Sequence, residues 1–97
     1  MFETEIPDLI GNARVICYVV VNLSSPTANT QHFVHGKLQD AAYGLAICQY
    51  KPEGGYYLFY CNNDWVEFAD TWHETVDDAK DQAEYEYTGI TDFWRYK

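Results

Sequence analysis

The residues of this 97-residue chain with the chemistry to act as ligands, nucleophiles or proton carriers are three histidines, three cysteines and fifteen Asp and Glu. His32 and His35 form a His-x-x-His pair, but residues three apart on a strand point to opposite faces. They cannot share a metal ion without a bend. His73 stands between Trp72 and Glu74, with Asp70 nearby. A histidine beside a thiol can generate a nucleophile, yet the sequence brings no cysteine next to His73. Its simpler role is to help bend the chain into a following helix. Asp64, Glu67, Asp70 and Glu74 are the carboxylates on which acid–base catalysis would draw. Asp64 belongs more simply to a turn, and Glu67 to an exposed strand position. Gly54-Gly55 lacks the flanking pattern of a phosphate loop and the helix that should follow one, so it reads as a hairpin turn. These residues predict no catalytic set, no metal site and no cofactor. The competing enzymatic reading is a small enzyme or ligand-binding protein with His73 near a pocket.

Cys17, Cys48 and Cys61 are odd in number, far apart, and set in apolar strand-like runs. That is the pattern of buried free thiols in a reducing compartment. The first residues carry no basic region followed by an apolar core, and no apolar run is long enough to span a bilayer. A cytoplasmic domain is therefore expected. Fifteen acidic residues against six Lys and Arg leave a net charge of −9. Binding to nucleic acid and to anionic membranes draws on Lys and Arg, so both are disfavoured. A basic protein partner fits the charge, because opposite fields steer association.

The elements that must position these residues can be read from the chain. With 47% hydrophobic and 18% aromatic residues the chain should fold, and at this length it forms one domain with one core. Residues 1–12 read as an irregular acidic arm. Residues 13–23 are apolar at both parities, as in a strand covered on both faces. Residues 30–38 and 41–50 read as the second and third strands, and 51–55 as a hairpin loop. Residues 56–61 and 65–72 read as the fourth and fifth. A helix follows: Thr75 is its expected N-cap, with Asp78 three residues on. Val76, Ala79, Ala83 and Tyr87 share one helical face, while Asp77, Asp81 and Glu84 share another that points to water. Gly89 reads as the residue past the helix end, and 90–97 as an aromatic tail.

A two-residue turn between the last two strands would set Phe59 opposite Phe68, Tyr60 opposite Glu67 and Cys61 opposite Val66. Phe59, Cys61, Val66 and Phe68 would then face the helix. Tyr56, Leu58, Tyr60 and Glu67 would lie on the other face, with no second helix to cover them. That tyrosine-rich face and the acidic helix face are the expected binding surfaces, for a protein partner or for self-association as a homodimer.

The stretch 57–89 resembles the ending of small bacterial open-reading-frame products. The shared features are an aromatic strand, the Asn62-Asn63-Asp64-Trp65 turn, a strand ending in Trp72, and a helix of the Thr75-x-x-Asp78-Ala79-Lys80-x-Gln82-Ala83-Glu84 type. That resemblance implies no activity. In size and charge the chain also resembles the immunity proteins that neutralise basic nuclease toxins. The resulting expectation is an α+β domain with an antiparallel sheet of about five strands and one C-terminal helix on one face. Its expected function is that of a non-enzymatic acidic protein-interaction domain, including the immunity-type antagonist of a basic protein.

Overall fold

A computed structural model describes residues 5–21, 42–52 and 54–97, and the backbone of 33–34 and 37–38. The elements are β1 (Leu9–Ile10), β2 (Ala13–Val20), β3 (Phe33–Val34), β4 (Lys37–Leu38), β5 (Gly44–Gln49), β6 (Tyr56–Cys61), β7 (Glu67–His73), α1 (Val76–Glu86) and β8 (Arg95–Tyr96), with a short 3-10 turn at Thr91–Phe93. The main sheet is antiparallel, in the order β1-β2-β5-β6-β7, and one helix packs against it. This is the α+β fold that the sequence predicts. Among the described residues, no part of the predicted second strand joins this sheet. Its described parts, β3 and β4, pair with each other. His32 and His35 lie outside the described residues.

Strand β2 organises the sheet. One edge pairs with β5; the other is shared by β1, opposite Ala13 and Arg14, and β8, opposite Cys17 and Tyr18. The 1–12 arm is therefore not wholly irregular. Gly11 and Asn12 both have positive φ, 55° and 72°, which is the backbone of the tight hairpin turn that matches strand twist. The 90–97 tail likewise ends as a strand. Lys97 N–H donates to the Ile16 carbonyl at 3.1 Å, and the Lys97 ammonium meets Asp8 at 3.0 Å. Arm and tail together cover an edge that would otherwise expose unpaired backbone groups.

Between β6 and β7 the expected two-residue turn is replaced by a longer one. Asn62 Oδ1 accepts from the N–H groups of Asp64 and Val66, at 2.9 and 3.1 Å. Trp65 takes φ +59°, a left-handed conformation rare for a bulky residue. Its ring lies over Gly44, where a Cβ would come within 2.5 Å of it, and meets Tyr18 and Tyr43 edge-on. Packing holds the residue there. The pairing that results is Phe59 with Asp70, Tyr60 with Ala69, and Cys61 with Glu67 across a bulge. The predicted pairing of Phe59 with Phe68 and Tyr60 with Glu67 is thus corrected, and Val66 is 58% exposed rather than core.

The faces are also exchanged. Leu45, Ile47, Leu58, Tyr60, Ala79, Ala83 and Tyr87 form the core beneath α1, with Tyr56 and Phe68 against it. Phe59 and Cys61 belong to the other face, with Val15, Ala46, Cys48 and Trp65. Ile6 and Ile10 of the N-terminal arm cover that second core. The sheet curls, so that a Cβ on Gly11 would lie 3.2 Å from Glu67 Oε1 on the far strand. Two sheet faces are thus filled by one helix, one arm and the curl.

The helix follows its predicted grammar. Thr75 Oγ1 accepts from the Asp78 N–H at 3.0 Å, Ala79 and Ala83 are fully buried, and Gly89 sits past the end at φ +95°. Tyr87 closes the helix through its N–H to the Ala83 carbonyl, 2.8 Å. Lys80 ties the tail to the helix, donating to the Tyr96 hydroxyl at 2.6 Å. No helix among the described residues is long and apolar enough to cross a membrane.

Candidate interaction surface

The predicted site residues separate into three places. Leu58 and Tyr60 are fully buried under α1, and Tyr56 packs against the same core. They are core, not an exposed patch. The physical reason lies in the tyrosine hydroxyl. Tyr60 donates to the carboxyl group of Glu86, itself only 3% exposed, and Gln82 Nε2 donates to the same oxygen at 2.9 Å. The helix supplies the acceptor that a buried phenol requires, which Phe59 and Cys61 have no use for. Burial, first, and then Glu86 push the pKa of the Tyr60 hydroxyl well above its ordinary value.

Asp77 and Asp81 are exposed on the helix. Glu84 does not share their open surface. Its carboxylate accepts from the N–H groups of Gly89, Ile90 and Thr91, at 2.6, 3.0 and 3.1 Å, and from the Thr91 hydroxyl at 2.7 Å. The Gly89 N–H, first, and the Thr91 hydroxyl hold its carboxyl below the usual range. An acid in a helix's last turn opposes the helix dipole; here four donors offset that and lock the chain as it leaves α1.

His73 lies at the end of β7, on the face toward α1. Its Nε2 is 2.7 Å from Thr71 Oγ1, and Thr71 in turn hydrogen-bonds Tyr60. Proton counting orients this string. Tyr60 spends its one proton on Glu86 and accepts from Thr71, so the Thr71 oxygen accepts from a protonated His73 Nε2. Burial, above all, lowers the imidazole's pKa, against the pull of Asp78 and Glu86. The string runs inward to buried groups. Cys48 and Cys61 lie in the core of the other face, and Cys17 sits three strands away in the sheet order. All three cysteines are free and buried. Burial pushes Cys17 up to about 11 and Cys61 up to about 12, and raises Cys48 further. Thiols of this kind are poor nucleophiles. Among the described residues, no group of three or more His, Cys, Asp or Glu is placed to hold a metal ion.

The exposed chemistry is on the face away from the helix, at its β6–β7 end. Tyr57 pairs with Trp72, and Phe59 with Asp70. Tyr50, just past β5, stands edge-on to Tyr57 and Phe59, with centroids 5.2 and 6.3 Å apart. Tyr50 is 48% and Trp72 53% exposed. Trp72 is nonetheless pinned: its Nε1 donates to the Gly54 carbonyl at 3.1 Å. Its ring lies so close to Gly55 that a Cβ there would come within 2.6 Å. Gly55, at φ +77°, thus both turns the chain and seats the indole. Glu67 and Asp70 lie beside these rings. Partial desolvation, then the field of Glu67 and Asp70, raise the Tyr50 hydroxyl. Desolvation and Asp70 likewise raise Glu67. Among the described residues no lysine or arginine forms an ion pair with either carboxylate. Of the predicted residues only Glu67 belongs to this surface. Tyr50, Tyr57, Asp70 and Trp72 join it. The alternation of Tyr57 with Leu58 and the position of Trp72 were visible signals, but the register that brings them together was not.

Comparison of the chain with family models, curated proteins and solved structures finds no match.

Proposed function

We propose that this chain is a non-enzymatic acidic interaction domain that binds a basic protein through the Tyr50, Tyr57, Glu67, Asp70 and Trp72 surface. The observation that carries this reading is the pinned, half-exposed Trp72 on the same sheet face as Asp70 and Glu67, two carboxylates with no ion-pair partner among the described residues. Tyr and Trp give large contact area with few torsions to freeze, and they concentrate binding energy at interfaces. The net charge of −9, with Asp77 and Asp81 exposed on the helix, steers a basic partner toward the molecule. A basic nuclease toxin, the partner of an immunity-type antagonist, is one protein of this class.

The test is affinity capture from the source cell with three baits: the unaltered chain, the Trp72→Ala/Asp70→Asn variant and the Asp77→Asn/Asp81→Asn variant. The reading expects a basic protein retained by the first and third baits and lost from the second. Equal retention by all three would remove the surface from the interaction.

A further inference from the structure

The composition of this surface narrows the partner group it can take, and the inference rests on the interaction reading above. We propose that the surface receives an arginine side chain of the partner, stacked against the exposed aromatic rings with its guanidinium turned to Asp70 and Glu67. Along the helix-free face of β7, Asp70 stands between Trp72 and Glu67. Across the sheet, Tyr57 lies opposite Trp72 and Phe59 opposite Asp70. Directly opposed side chains are about 5 Å apart at Cβ, so Asp70, itself exposed, stands next to the aromatic residues of β6 on this face. Tyr50 adds a further ring over Tyr57 and Phe59.

An aromatic surface with carboxylates at its border suits a cation that is flat, weakly hydrated and able to donate in two directions. Guanidinium has those properties. It stacks on aromatic faces and forks onto carboxylates, whereas an ammonium is a strongly hydrated point charge. Desolvation at Glu67 raises the cost of bringing a hydrated cation there. The pinned indole matters for affinity. Trp72 is held by the Gly54 carbonyl and seated on Gly55 before any ligand arrives, so little side-chain entropy remains to be lost.

The test uses the full chain and three short capped peptides, Gly-Arg-Gly-Arg-Gly and its lysine and citrulline counterparts. Binding is followed by the NMR shift of the Trp72 indole N–H, assigned with Trp72→Phe. The arginine peptide is expected to bind roughly fivefold or more tightly than the lysine peptide, and the citrulline peptide not to shift the signal. Asp70→Asn, at an exposed position, should abolish the arginine preference without unfolding the protein, as its amide spectrum would show. Equal binding of the arginine and lysine peptides, both weakened by Asp70→Asn, overturns the arginine assignment and leaves the basic-partner reading standing. So does absence of peptide binding while the Trp72→Ala/Asp70→Asn bait still loses a captured basic protein. No peptide binding together with unchanged capture overturns both.

Discussion

Two tyrosine–carboxylate groupings lie on opposite faces of the same sheet and have opposite fates. Tyr60 meets Glu86 under the helix, where both are buried and Gln82 donates to the same carboxyl oxygen. Tyr50 stands near Glu67 and Asp70 at the rim of the other face, half-exposed, with no ion pair to either acid among the described residues. The chemical groups are alike. What differs is whether the described residues supply their partners. A buried polar group must be satisfied from within, so Tyr60 and Glu86 became structure. At the rim, Tyr50 and Asp70 stay exposed to solvent.

The sharpest way to break this contrast is to cut into each side of the sheet. Leu58→Ala should cost about 2–5 kcal/mol, because a fully buried leucine leaves a cavity between sheet and helix. Asp70→Asn at the rim should change stability by no more than about 0.5 kcal/mol. Urea titrations of the two variants decide the point; similar midpoints would mean that the two regions are not core and surface.

A smaller change probes the buried pair itself. Tyr60→Phe keeps the ring and removes the hydroxyl that Glu86 accepts from, and a buried group left short of a partner costs about 1–3 kcal/mol. Calorimetry of the variant would show it, and an unaltered Tm would make the Tyr60–Glu86 contact incidental.

The cap that starts the helix over this pair comes next. Thr75→Ala should cost about 0.5–2 kcal/mol through the loss of the acceptor for the Asp78 N–H. A compensating Thr75→Asp should restore most of it, which circular dichroism melts would measure.

The smallest effect is expected where the helix ends, because Glu84 is only partly buried and solvent screens its interactions. Its folded pKa is depressed, so its contribution is present above the unfolded carboxylate value near 4.5 and lost as pH falls through the lower folded value. Glu84→Gln should therefore lower stability at neutral pH and match the unaltered chain in strong acid. A difference that persisted unchanged down to acid pH would remove charge from the explanation.

Local grammar was legible in the chain. The Thr75 cap, the buried stripe of Ala79 and Ala83, Gly89 past the helix end and the strand character of β2, β5, β6 and β7 all follow from neighbours within a few residues, and they stand in the structure. The Gly11-Asn12 turn was missed, since residues 1–12 read as an irregular arm, although the pair is suited to positive φ. The sequence by itself thus determined the helix and four of the strands, that the thiols sit in apolar runs, and that the molecule is strongly acidic.

Only the tertiary structure decided which face the helix covers and which aromatics stay outside. Alternation separates Tyr56, Leu58 and Tyr60 from Tyr57 and Phe59 but does not say which set meets α1, because both are apolar. The turn at Trp65, a left-handed residue held by its fit on Gly44, set the β6–β7 register from outside the hairpin. Glu86, 26 residues along from Tyr60, settled the face by satisfying the buried hydroxyl. Contacts over such distances in sequence have no local signature, since their free energy exists only once the chain has closed around them.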